Sequence, residues 1–246
     1  MFDWINSESA LTTWFSAQSV SSVIGLDTEF IRTDTFYARL ALIQAEIGGR
    51  TAIIDAPALN GHAALAAHLT DAHSVCVMHS ASEDLEALSA IIPSGPATLF
   101  DTQIAAAMTG LGPGLSYQKL VAALLGVDLP KGETRSDWLK RPLSPAQLDY
   151  AAQDVEHLPQ IHALLAAKLA ELGREEWLAR AHGHAGANAV GAAHLARGIG
   201  ARVRGGAHAP RHDRAPGARY HGRCATRAAH APLRRHRAQG RGGERW

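Results

Sequence analysis

The chain has 246 residues, 46% hydrophobic and 19% charged, enough for one sizeable domain and an appendage. No run approaches the ~18 apolar residues of a membrane-spanning helix, and the start, Met1 to Asn6 with an acid at position 3, lacks the basic-then-apolar pattern of a secretory leader. A cytoplasmic protein with no membrane partner is expected. The net charge of +1 conceals two unlike parts: residues 1–180 carry 21 Asp+Glu against 11 Lys+Arg, whereas residues 181–246 carry 13 Arg, no Lys and only Asp213 and Glu244 as acids.

In chain order, residues 23–30 read as a strand, followed by strands over 40–47 and 51–55 joined at Gly48-Gly49, a hairpin turn signal. Apolar spacing predicts a helix over 59–69, a short buried strand over 75–78 and a helix over 80–92. Ser80 and Glu83 are placed to form a capping box for that last helix. Cys76, inside the apolar run, reads as a buried thiol, and with Cys224 it makes no disulfide framework. Asp101 is a candidate N-cap for a helix through Met108, and a helix over 115–125 should end at Gly126. After a charged loop over 128–142 comes the longest helix, with Ser144 as cap, Pro145 first and Gln147 completing a capping box. Pro159 should bend it. Strands first and helices after predict an α/β sheet with helices packed on it.

Asp27 and Glu29 lie two apart on a strand, so both point to one face. Two carboxylates there repel each other and call for something positive between them; oxygen donors of this kind suit Mg²⁺ or Mn²⁺ better than zinc. Asp84, in the first turn of its helix, is equally explained by the helix dipole. Tyr150 and Asp154, four apart, share a helix face that could be simply wet. Each fragment alone has an ordinary structural reading.

Taken together and in order, Leu26-Asp-Thr-Glu-Phe30, His79-Ser-Ala-Ser-Glu-Asp-Leu85 and Tyr150-Ala-Ala-Gln-Asp154 closely resemble the three motifs of the DEDD exonucleases, in the branch with tyrosine before the last aspartate. Asp27 to Arg32 followed by Leu40-Ala-Leu-Ile-Gln44, together with Phe100-Asp-Thr-Gln103 and Glu133-Thr-Arg-Ser-Asp-Trp-Leu139 with Arg141-Pro-Leu143, is similar within that branch to ribonuclease D. The resemblance runs over about residues 20–180. It implies a ribonuclease-H-like mixed sheet flanked by helices across residues 1–180. It also implies a 3′-5′ exoribonuclease that releases 5′-mononucleotides by two-metal hydrolysis, with Asp27, Glu29, Asp84 and Asp154 holding two divalent cations, Mg²⁺ or Mn²⁺. Tyr150 would orient the attacking water. The implied partner is RNA with a single-stranded 3′ end, such as a tRNA precursor. The sequence leaves the oligomeric state open, a monomer being favoured. The rival readings are an exonuclease of DNA or short oligonucleotides, and an RNA-binding remnant with impaired catalysis.

Substrate-contact candidates follow. Phe30 could stack on a base or pack in the core. Gln44 could touch the site or be a buried amide. His79 reads more as a brace for the Asp84 segment than as an acid or base. Lys131, Arg135, Ser136 and Trp138 lie in a loop suited to phosphate and base contacts, or pinned by the tryptophan. Residues 181–246 have few, scattered large aliphatics and predict disorder. They read either as an arginine-rich arm gripping phosphates or as an out-of-frame translation standing where this family continues with helical HRDC domains.

Overall fold

The structure, a computed structural model, describes residues 1–18, 22–32, 38–130, 136–178 and 180–181. Apart from its first residue, the 181–246 tail lies outside the described residues, as do Lys131, Arg135 and Cys224.

Six strands form one sheet: β1 (Phe2–Ile5), β2 (Val23–Ile31), β3 (Arg39–Ile47), β4 (Arg50–Asp55), β5 (Val75–Met78) and β6 (Leu99–Asp101), in spatial order β1-β4-β3-β2-β5-β6. β3 runs antiparallel to both neighbours and the other pairs are parallel, so the sheet is mixed as expected. The β3–β4 hairpin turns at Gly48 and Gly49, whose φ of +61° and +84° only glycine adopts freely. Helices α1 (Glu8–Ser16), α2 (Ala63–Thr70) and α3 (Ser82–Leu88) belong with one face, where Leu11, Phe15, Leu65 and Leu88 meet Ile24, Leu26, Ile43 and Ile54. Helices α4 (Thr102–Met108), α5 (Tyr117–Leu125), α6 (Pro145–Glu156) and α7 (Leu158–Leu172) belong with the other, where Val155, Leu158, Ile161 and Leu165 surround Val77. Alternation along each strand feeds both cores.

Several local expectations change. β1, α1 and β6 were not foreseen: β1 and β6 are too short for a periodic signal, and α1 interrupts its apolar residues with Thr12 and Thr13. The helix expected over 80–92 is shorter, and no side chain caps it. Ser80 instead sits at φ +60°, outside helical geometry, so its capping box does not form. The capping box of Ser144 and Gln147 is present. Where a bend at Pro159 is expected, a single residue, His157 at φ −103° and ψ −4°, breaks the helix into α6 and α7, and α7 begins anew with the proline in its first turn. No helix among the described residues is long and apolar enough to cross a membrane.

Candidate active site

The site begins with β2. Register pairs Gly25 with Glu46, Asp27 with Gln44 and Glu29 with Leu42 on β3, so these six side-chain positions share one face. Gly25 makes room on it. A Cβ there would lie 3.0 Å from the Leu158 Cβ and 3.1 Å from the Val155 carbonyl oxygen. The α6–α7 break therefore rests against β2, which brings the last turn of α6 and its Asp154 over the two strand acids. Carboxylate oxygens of Asp27, Glu29 and Asp154 all lie within 4.8 Å of one another.

Asp84 approaches from α3 and stands outside that tight group. Its Oδ1 accepts a hydrogen bond from the Thr28 hydroxyl at 2.6 Å, yet its charge reaches Asp27 and Glu29. Burial followed by mutual repulsion pushes these groups upward. Glu29 rises to about 8 through desolvation and then the charges of Asp154 and Asp84. Asp154 rises to about 7, mainly by desolvation, with a hydrogen bond from Tyr150 pulling the other way. Asp84 rises to about 6, again by desolvation first. Asp27 rises as well, from burial and then the charges of Asp84, Asp154 and Glu29. Among the described residues no ion pair joins any of the four to a lysine or arginine. Such a set is poorly satisfied by the protein alone and is complementary to a hard cation. The Tyr150 hydroxyl is pushed above its ordinary value by burial and by the neighbouring carboxylates, so it keeps its proton and donates to Asp154.

Asp101 holds the entry to the Asp84 helix. Its Oδ1 accepts from the backbone N–H of Gln103 (2.8 Å) and Ser80 (3.1 Å), and its Oδ2 from that of Ala81 (2.9 Å). One carboxylate thus caps α4, as the sequence suggested, and also fixes the turn into α3, which the sequence did not show. Ser80 in the left-handed region is the strained residue this arrangement secures. His79 packs beside it, Nδ1 at 2.9 Å from the Thr102 hydroxyl and Nε2 at 3.0 Å from the Leu115 carbonyl oxygen. Both ring nitrogens are used within the fold and burial lowers its pKa, so His79 is a neutral brace.

Other substrate-contact candidates are placed variously. Phe30 follows Glu29 at a register shift, half-buried, with the Arg32 guanidinium 6.0 Å from its ring centre. Ser136 is half-buried, and Arg135 lies outside the described residues. Trp138 is 3% exposed and packs with Ala41, Leu42, Ile53 and Ala151, its ring centre 6.1 Å from that of Tyr150. Its geometry is that of a pin holding the loop. Gln44 has no exposed surface. A fully covered amide does not reach a strand lying at the surface, which corrects its placing among the substrate contacts.

The sequence passed over Thr28, Asp101's second role and Arg141. The Arg141 Nε and Nη2 donate to Asp55 at 3.0 and 2.6 Å, and its Nη1 and Nη2 to the Trp138 and Ala41 carbonyl oxygens at 2.6 and 3.1 Å. Only the Phe100-Asp-Thr-Gln103 and Arg141-Pro-Leu143 segments hinted that these residues mattered.

Comparison with known proteins bears on this geometry. A family model described as 3′-5′ exonuclease matches residues 2–170. Ribonuclease D of Xanthomonas oryzae pv. oryzae is 51% identical over 177 residues, covering 72% of this chain and 48% of that protein. The crystal structure of Escherichia coli RNase D, described as an exoribonuclease involved in structured RNA processing, matches with a TM-score of 0.74 at 34% identity, covering 77% of this chain and 51% of that one. NrnC of Brucella melitensis matches with a TM-score of 0.65 at 25% identity, covering 76% of this chain and 91% of that one. The expected similarity to ribonuclease D and the expected fold are both present. The chain spans about half the length of the ribonuclease D relatives it matches.

Proposed function

Because the chain belongs to the 3′-5′ exonuclease family, we propose that it removes 5′-mononucleotides one at a time from the 3′ end of RNA. The unit responsible is residues 1–180, a reading supported by the family match over 2–170. The observation that carries the proposal is the meeting of Asp27, Glu29 and Asp154 within 4.8 Å, with Asp84 close enough to raise the pKa of Asp27 and Glu29.

The donor set fits divalent cations: four carboxylates, oxygen only, crowded and without a lysine or arginine partner among the described residues. Asp27, Glu29, Asp84 and Asp154 would hold two of them, Mg²⁺ or Mn²⁺. When bound, such a pair supplies charge stabilisation to the attacking and leaving oxygens of an in-line displacement at phosphorus. Tyr150, protonated and bonded to Asp154, is suited to hold the attacking water in line and poorly suited to take its proton. Water adds at phosphorus, the bond to the 3′-oxygen breaks, and that oxygen leaves with a proton as the new 3′ hydroxyl. Thr28 keeps Asp84 aimed, and Gly25 lets α6 deliver Asp154 and Tyr150 together.

The finer substrate reading is the 3′ extension of tRNA precursors. It is supported by similarity to ribonuclease D, whose E. coli member is described as acting in structured RNA processing. A 5′-labelled RNA with a single-stranded 3′ tail tests the whole reading. It should shorten by single nucleotides with Mg²⁺ or Mn²⁺, release 5′-mononucleotides, and remain intact with a chelator. Internal cuts, or undiminished cleavage in chelator, would overturn it. A matched DNA strand degraded faster than the RNA would favour the DNA-exonuclease reading, and metal-supported RNA binding without any product would favour the impaired remnant.

A further inference from the structure

Gln44 is the residue that the proposed chemistry leaves unused and the fold leaves unexplained. It sits mid-strand on β3 with no exposed surface, and among the described residues neither its Oε1 nor its Nε2 has a hydrogen-bond partner. Buried polar atoms are almost always paired, because leaving a donor and an acceptor empty in the interior costs stability. An apolar side chain of the same size would pack here without that cost, among Leu42, Ile53 and Ala151 of the same core.

Its position supplies a reason for the amide. Gln44 is the direct cross-strand partner of Asp27. Directly opposed residues in an antiparallel pair have Cβ atoms roughly 5 Å apart on the same face, so the two side chains leave the sheet side by side. Glu46, two residues on and therefore on that face too, carries another buried oxygen, Oε2, without a partner among the described residues. Asp27, Gln44 and Glu46 are thus polar positions on the sheet face that α6 covers, with Leu42 and Ile53 beside them.

We propose that Gln44 is a positioning residue for Asp27, its amide N–H kept in the interior to orient that carboxylate when Asp27 ligates a divalent cation. This rests on the metal-dependent reading above. An amide donor suits the task because it carries no charge of its own. A lysine or arginine here would compete with the cation for the carboxylate, whereas a neutral donor fixes one oxygen and leaves the other lone pairs to the ion. Gln44 touches no substrate; it acts through Asp27 alone.

The test is Mn²⁺ uptake by the full chain without nucleic acid, followed by calorimetry or by the loss of the free-ion paramagnetic signal, alongside thermal unfolding in chelator. Gln44→Leu removes the orphaned amide at nearly equal volume. It should unfold at the same or a higher temperature than wild type, yet bind Mn²⁺ more weakly by on the order of tenfold or more, the usual effect of losing an outer-shell partner. Gln44→Met repeats the measurement with a more adaptable chain, should leucine pack badly. Equal Mn²⁺ affinity in a well-folded variant would overturn the inference and leave the metal reading standing. So would weaker binding that appears only together with lowered stability in both variants, since that marks a packing role. Failure of the wild-type chain to take up Mn²⁺ at all would sink the metal reading, and this inference with it.

Discussion

Glu29 and Asp55 lie in one cross-strand row, joined through Leu42 of β3, and they show two solutions to the same problem. Two strand spacings put them roughly 10 Å apart. Asp55 is met by Arg141 through two hydrogen bonds, and the remaining donors of that guanidinium are taken by carbonyl oxygens. Its charge is answered inside the fold, and the pair staples the Trp138 loop to the sheet. Glu29 has Asp27 and Asp154 for neighbours and is pushed up to about 8. The protein brings its own cation to one end of the row and, among the described residues, none to the other. The first arrangement stabilises the fold; the second costs stability in the metal-free chain, which under the proposed function a bound cation would offset.

That contrast can be broken most severely at the acids themselves. Asp27→Asn or Asp154→Asn should drop nuclease turnover to background while the melting temperature of the metal-free protein holds or rises, because each change relieves repulsion. Wild-type turnover in Asp154→Asn would remove that residue from the site. The opposite pattern is expected from Arg141→Ala. Leaving Asp55 without its partner should cost about 3 kcal/mol, the lower end for breaking a largely buried pair, as read by chemical denaturation. Any activity loss there should track the folded fraction.

Between these extremes, Tyr150→Phe keeps the packing against Trp138 and removes one hydrogen bond to Asp154. Turnover should fall on the order of ten- to a hundredfold through loss of alignment, with RNA binding nearly unchanged; equal falls in both would assign Tyr150 to substrate grip instead. The smallest effect is one of pH. Glu29, Asp154 and Asp84 hold protons in the metal-free fold up to about 8, 7 and 6, whereas in the unfolded chain they release them near pH 4. The folded state binds more protons across that interval, so metal-free stability should be greatest in acid and decline from about pH 4 to about pH 8. Saturating Mg²⁺ should flatten the decline, and thermal melts across pH with and without the ion would show it. A metal-free melting temperature that climbs through this window would contradict the crowding.

Much of the site could be read along the chain wherever the relevant geometry is local. Alternation on a strand put Asp27 and Glu29 on one face, a four-residue step put Tyr150 beside Asp154, and Ser144 with Gln147 announced the start of the helix that carries both. Trp138 was legible as a pin but not distinguishable from a base-stacking platform, since an aromatic in a charged loop serves either. Ser80 looked like a cap because serine three residues before glutamate usually is one. Asp101, brought alongside by the pairing of β5 with β6, instead holds the backbone N–H groups of Ser80 and Ala81 just ahead of the helix, which no side chain caps.

The amino-acid sequence by itself therefore determined which groups are available and which neighbours within a turn or a pleat must share a face, because those relations follow from backbone geometry alone. Tertiary structure alone decided the strand order, the seating of the α6–α7 break on Gly25, the capture of Asp84 by Thr28 and of Asp55 by Arg141, and the burial of Gln44 beside Asp27. These contacts join segments far apart in the chain. They are set by packing and strand register, which no local pattern encodes.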